Sequence, residues 1–216
     1  MPYAAENTIG RFYYQSGISL FHSLCFHAYI CTLNNDYFMR LHIMGASGSG
    51  VTTLGTVLAE NLSIPYFDSD QYFWEKTNPP FTKRREPELR NELILSDIWN
   101  HESWVLGGSL LKWNLEVEFD LIVFLYTPHD IRMERLRKRE HSRYGDVIFT
   151  DESRKQQYQD FMAWATGYDD NSTQGRNLAA HESWLQTQKC PVLELRGDLT
   201  VNERLQSVLK RIAALQ

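Results

Sequence analysis

The chain has 216 residues, 43% of them apolar and 23% charged, with a formal net charge of -5 at pH 7. This is the make-up of an ordinary globular protein, long enough for one α/β domain with a sizeable core, and its acidic balance argues against a general nucleic-acid binder. Three cysteines, Cys25, Cys31 and Cys190, are too few for a disulfide framework and point to a reducing, cytoplasmic compartment, while no window is long and apolar enough to span a membrane.

Residues 1–38 are rich in aromatics, among them Phe12, Tyr13, Tyr14, Phe21, Phe26 and Tyr29, and read as an N-terminal extension outside a core domain of residues 39–216. Met39 is an alternative start immediately before the first strand. The run Ile18–Leu33 has the apolarity of a signal-peptide core, but it contains His22 and His27 and lacks the flanking signals. His22, Cys25, His27 and Cys31 match no zinc spacing. The core then alternates. Arg40–Met44 is a short apolar strand, and Leu54, Val57, Leu58 and Leu62 mark one face of a helix that Pro65 ends. Ile64–Phe67 is a short strand leading to Asp68-Ser69-Asp70. A helix over Pro87–Trp99 follows, then a strand at Trp104–Leu106 closed by Gly107-Gly108-Ser109. Leu121–Tyr126 is the clearest buried strand. Asp130 to about Arg143 is a basic helix, with further helices over Glu152–Thr166 and about Asn177–Gln186. Pro191–Leu195 is the last strand, and Thr200 with Glu203 fits a capping box for a final helix. This alternation predicts a mostly parallel sheet with ligands at the carboxyl ends of its strands.

Three groups of residues carry chemistry. Gly45-Ala46-Ser47-Gly48-Ser49-Gly50-Val51-Thr52-Thr53 stands between a strand and a helix and fits the phosphate-loop pattern G-x-x-x-x-G-K-[ST] except at Val51, where the lysine is expected. Its glycines let successive N–H groups turn inward, and the helix N-terminus adds partial positive charge. Asp68 and Asp70, two apart on an extended segment, would face one side together; the alternative is a polar turn with a helix cap. Arg135 and Arg139, with Arg132, fall on one helical face, or else belong to a solvated basic helix with pairs such as Glu134–Lys138.

In this order these residues resemble the P-loop kinases of small molecules, the group of adenylate, shikimate and gluconate kinases, and look closest to bacterial proteins described as adenylate kinase-related or topology-modulation-like. The resemblance covers residues 39–216. It implies a P-loop NTPase fold, a mostly parallel sheet with helices on both faces and a short helical lid beginning near Arg143 and Gly145. It also implies ATP with Mg²⁺, and γ-phosphoryl transfer to a small-molecule acceptor rather than to nucleic acid or a membrane component. Thr52 and Asp68 would belong to the metal, and Asp70 would orient the acceptor. Arg135 would pack on adenine, Arg139 would approach the phosphates, and Gly197 would lie in the adenine-side loop. Gly107 and Gly108 would let the acceptor approach the backbone. Lys83, Arg84, Arg85 and Arg90 would make the acceptor site suit an anion, with Phe73, Trp74 and Trp113 either lining it or packed in the core. Arg176, His181 and Glu182 lie near enough to the chain's end to reach the site, without the second histidine that a zinc motif needs.

Val51 can neither donate a hydrogen bond nor neutralise charge, and losing one transition-state donor typically costs about 10²–10³ in rate. Lys112, Lys83, Arg84 and Arg139 are candidate substitutes. The favoured reading is a working kinase with a displaced cation; the others are a slow NTP hydrolase and a non-catalytic nucleotide sensor.

Overall fold

The computed structural model describes residues 39–216. The extension expected over residues 1–38, with its aromatics and His22, Cys25, His27 and Cys31, lies outside the described residues.

Five strands form one all-parallel sheet: β1 (Arg40–Gly45), β2 (Tyr66–Asp68), β3 (Trp104–Gly107), β4 (Leu121–Tyr126) and β5 (Val192–Arg196), in the order β2-β3-β1-β4-β5. Each strand expected from the sequence is present, Leu121–Tyr126 with the expected bounds and the others with one or both ends shifted by one or two residues. The helices are α1 (Val51–Leu62), α2 (Ser69–Phe73), α3 (Pro87–Trp99), α4 (His129–Tyr144), α5 (Val147–Thr150), α6 (Glu152–Thr166), α7 (Leu178–Gln186) and α8 (Val201–Ala213). The short α2 and α5 carry too little periodic pattern to be read from sequence.

The period-2 alternation of the strands sorts side chains between two layers. Leu41, Ile43, Val105, Leu121, Val123 and Leu125 face α1 and α8, meeting Leu54, Leu58, Leu205, Val208 and Ile212. The opposite face carries Met44, Trp104, Leu106, Ile122 and Phe124, covered by Ile94 and Ile98 of α3 and Leu185 of α7. Both faces are therefore buried, which explains why β4 reads as an unbroken apolar run. Leu41, Ile43, Leu121 and Val123 have no exposed surface, each worth about 1.5–3 kcal/mol of burial. A smaller cluster of Met133, Leu136 and Ala165, with Phe161, Met162 and Trp164, packs α6 on α4, in the segment where the short helical lid is expected.

Several helix ends follow from local chemistry. Thr200 and Glu203 form the reciprocal capping box of α8, and Asp151 caps α6 by accepting from the Arg154 N–H at 2.9 Å. The bulky polar residue His42 sits inside the sheet with no exposed surface. It bonds the Leu106 carbonyl oxygen through Nδ1 at 2.9 Å and stacks on Phe119, and burial pushes its pKa down to about 4.

Candidate active site

β1 ends at Gly45, and the chain folds back so tightly that a Cβ there would meet the Leu125 carbonyl oxygen at 2.5 Å and Ser49 Oγ at 2.6 Å. Gly48 and Gly50 take φ of 83° and 93°, left-handed values that L side chains rarely adopt. Gly50 is the N-cap of α1, whose first turn carries no acid. The N–H groups of that turn have no intrahelical acceptor, so the loop mouth combines free donors with the positive end of a helix.

Two buried arginines hold the loop from behind. Arg132 of α4 donates to the Ser47 carbonyl oxygen at 3.1 Å and is ion-paired with Asp169. Arg204 of α8 donates to the Ser49 carbonyl oxygen and, at 2.9 Å, to Thr127 Oγ1. Because a trans peptide points its C=O and N–H to opposite sides, fixing the carbonyls of Ser47 and Ser49 on the outside turns the N–H groups of Gly48 and Gly50 inward. Sequence reasoning missed both braces. The signal for Arg204 was a charge in register with Val208 and Ile212 on the apolar stripe of α8.

The acidic pair differs from its expected form. Asp68 ends β2 and caps α2, its Oδ1 accepting from the Asp70 N–H at 3.0 Å. Asp70 is thus in a helical turn, not on a continued strand, and Asp68 is the helix cap that the alternative reading expected. Its other oxygen, Oδ2, accepts from Thr52 Oγ1 at 3.0 Å and from the Tyr66 hydroxyl at 3.4 Å. Burial, and then the charge of Asp70, raise the Asp68 pKa. A carboxylate so placed favours a cation beside it. Thr52 and Asp68 are hard oxygen donors within reach of one ion. Among the described residues no three His, Cys, Asp or Glu side chains cluster as a metal cage. A set this sparse suits Mg²⁺, which is usually bound by one or two carboxylates with phosphate and water completing the shell.

Beside the loop lies a cavity of about 1220 Å³, whose wall includes Ser47 and Asp70. That exceeds the ~300–1,000 Å³ typical of a site for one small ligand. Six arginines and two lysines line it, against Asp70, Glu140 and Asp160. The basic residues expected at the acceptor segment separate by role. Lys83 pairs with Glu75 at 2.8 Å, and Arg85 donates to the backbone carbonyl oxygens of Gln71 and Tyr72. Arg84 lies 5.7 Å from the Phe73 ring centre, and Arg90, buried, lies 3.9 Å over the Trp113 ring. Phe73, Trp74 and Trp113 belong to the cavity wall, Trp113 while also packing in the core.

Gly107 and Gly108 are corrected. The space their missing side chains leave is filled by the protein: a Cβ on Gly107 would overlap the Tyr66 hydroxyl, and one on Gly108 would overlap Ser69 Oγ. Neither lines the cavity; Ser109 does. These glycines are required for packing of β2 and α2 against β3.

The arginines of α4 share a face yet diverge. Arg132 is buried under the loop. Arg135 reaches Asp198, beside Gly197, at 2.9 Å, so the two expected adenine-side positions do come together. Arg139 lines the cavity, bonded to Glu140 at 2.8 and 3.0 Å and 5.5 Å from the Phe161 ring centre. Glu134 and Lys138 form the expected exposed pair. Arg176 reaches the loop from the segment before α7. Its Nη2 donates to Ser47 Oγ at 3.0 Å, and its guanidinium lies 4.8 Å over Trp164. His181 is structural. It bridges the Tyr168 hydroxyl at 2.8 Å and Ser109 Oγ at 3.1 Å, and burial, then the Arg176 charge, lowers its pKa to about 3. Glu182 pairs with Arg196.

No protein-family model matches the chain. A Bacillus subtilis (strain 168) protein described as uncharacterized protein YqaC is 42% identical over 177 residues, 81% of this chain and 98% of that protein. Shikimate kinase of Acinetobacter baumannii (strain AYE) is 30% identical over 108 residues, 44% of this chain and 60% of that enzyme. Cytidylate kinase 2 of Borreliella burgdorferi is 27% identical over 135 residues, 56% of this chain and 74% of that enzyme. With 42% identity along nearly the whole Bacillus protein, the chain belongs to the YqaC family, and over part of its length it is similar to P-loop small-molecule kinases.

Proposed function

We propose that this protein is an ATP-dependent phosphotransferase that moves the γ-phosphoryl group to a small anionic acceptor. The observation that carries this reading is the hydrogen bond from Thr52 to Asp68 at 3.0 Å, which joins the phosphate loop to an acidic pair whose second member, Asp70, lies on the wall of an arginine-lined cavity. Asp70, beside that junction and facing the cavity, is the member of the pair that a pure nucleotide binder does not need.

Mg²⁺, when bound, neutralises charge on the phosphate oxygens; Thr52 and Asp68 would hold it. The loop N–H groups of Gly45–Thr53 bind the phosphates, and Arg135 with the Gly197 turn receives the base. Arg139 and Arg176 enter from the lid side and stabilise charge on the transferring group. Asp70, exposed and beside the cavity, orients the acceptor hydroxyl and accepts its proton. Arg84 and Arg90, with Lys83, attract the acceptor's anionic group, which a guanidinium can grip with two hydrogen bonds. Closure of α5 and α6 over the cavity excludes water from the transfer.

Val51 supports a second reading, a nucleotide sensor or slow hydrolase, and one experiment separates them. ADP formation is followed with Mg²⁺ across a panel of phosphorylated and carboxylated hydroxy metabolites, with mass spectrometry of the products. The expected result is ADP release accelerated by particular acceptors with a matching phosphorylated product. ADP release indifferent to every acceptor means a hydrolase, and tight binding without turnover means a sensor.

A further inference from the structure

Arg204 is 3% exposed, yet among the described residues no carboxylate lies within ion-pair distance of it. One terminal nitrogen donates to the Ser49 carbonyl oxygen and the other to Thr127 Oγ1; Nε has no partner. The acid with influence on it, Asp198, is engaged by Arg135. Arg132 makes the instructive contrast: it too is buried and bonded to a loop carbonyl, but Asp169 neutralises it. A buried guanidinium cannot shed its proton and is costly without a counter-charge.

Its position gives the missing counter-charge. A Cβ on Gly50 would lie 3.0 Å from Arg204 Nη1, so the cation sits behind the loop, one residue from where a lysine at position 51 would begin. Val51 itself turns into the core, against the cluster of α1 and α8.

We propose that Arg204 supplies, from behind the loop, the fixed positive charge that Val51 omits, and that the phosphate chain of the bound nucleotide is its counterion. This rests on reading the loop as a nucleotide site. Arg204 is a positioning residue: it touches the loop, holds the Ser49 carbonyl outward and acts on phosphate through one layer of backbone, where the low dielectric leaves its field strong. Its influence is therefore graded by phosphate charge, which a purely structural brace is not.

The test uses the full chain and isothermal titration with ATP, ADP and AMP, without metal, on wild type, Arg204→Met, Arg204→Lys, Val51→Lys and the Arg204→Met/Val51→Lys double variant. Arg204→Met should weaken ATP about 10- to 100-fold, ADP less and AMP least, and Arg204→Lys should retain most of the affinity. Val51→Lys should restore most of the lost ATP affinity in the Arg204→Met background and add little to wild type. Equal losses for all three nucleotides, no loss, or no rescue by Val51→Lys would overturn the proposal. Where Arg204→Met does not fold, melting of Val51→Lys against Val51→Gln decides. A second cation introduced beside an uncompensated Arg204 should make Val51→Lys melt lower than Val51→Gln, and ATP should close the gap; equal melting without nucleotide overturns the proposal. Failure of wild type and Val51→Lys alike to bind ATP overturns the nucleotide-site reading and this inference with it, whereas binding by wild type with unchanged Arg204→Met affinity overturns this inference alone.

Discussion

Asp68 performs two jobs that substitution can separate. Its Oδ1 caps α2, and its Oδ2 receives Thr52 and Tyr66 at the proposed metal position. Asparagine keeps its oxygen as the acceptor for the cap and turns an amide N–H donor toward the Thr52 hydroxyl, which can accept it, but removes the charge; alanine removes both the cap and the charge. Loss of an N-cap costs about 1 kcal/mol, or roughly 2–4 °C for a domain of this size, so Asp68→Ala should melt lower by that amount. Asp68→Asn should melt close to wild type, because its carboxylate is partly desolvated and repelled by Asp70, and neutralising it relieves both effects. At the site the order reverses in meaning. Losing a partner of a bound metal typically weakens metal affinity or activity about 10- to 100-fold, so both variants should need that much more Mg²⁺ for half-maximal ADP formation. The assay is a Mg²⁺ titration of ATP turnover, with melting curves taken without nucleotide. An unchanged Mg²⁺ requirement in a folded Asp68→Asn protein would refute the metal role and leave Asp68 as a cap.

Arg176→Met should lower turnover about 10²–10³-fold with little change in melting, since its one hydrogen bond among the described residues is to Ser47 Oγ; turnover at the wild-type rate removes Arg176 from the site. Gly108→Ala combines φ of +114° with a Cβ overlapping Ser69 Oγ, and strain of this kind costs about 1–3 kcal/mol. Adding Ser69→Ala should recover only the steric part, and a Gly108→Ala protein as stable as wild type would contradict the packing explanation of that turn. His42 and His181 are held neutral, with pKa values pushed to about 4 and about 3, against about 6.5 in the unfolded chain. Below pH 6.5 the unfolded state takes up protons that the folded state refuses, so stability present above that pH is lost as pH falls. From pH 7 to 5 the two histidines together account for a loss on the order of 4 kcal/mol. Urea unfolding should show it, and His181→Gln, which retains hydrogen-bonding capacity toward Tyr168 and Ser109, should show a shallower pH dependence; an identical pH dependence in that variant rules out His181 as a source.

What was legible in the sequence was local. The apolar run of β4, the extent of α6 from Glu152 to Thr166 and the Thr200–Glu203 box of α8 each depend on residues within a few positions of one another, and each appears in the fold as expected. The loop and its strand-to-helix setting were legible for the same reason. What failed depended on partners far along the chain. Arg132 and Arg135 were grouped with Arg139 by helical spacing, yet their long side chains reached Asp169 and Asp198, 37 and 63 positions away. The glycine turn after β3 was read as open space because nothing local shows that Tyr66 and Ser69 fill it. Arg176 meets the loop across 129 positions and Arg204 across 155; such contacts follow from the sheet order, which brings β1, β4 and β5 side by side, and not from any pattern in the residues themselves.

On the proposed reading, a phosphate loop with valine in place of lysine still binds and uses ATP. The most direct measurement is calorimetric titration of ATP, with and without Mg²⁺, into the wild-type full chain and Val51→Lys, each sample then followed for ADP. The expected result is ATP binding by wild type, ADP formation that requires Mg²⁺, and no dependence of either on Val51→Lys. Binding without turnover, with turnover appearing only in Val51→Lys, would contradict the claim and leave a nucleotide sensor.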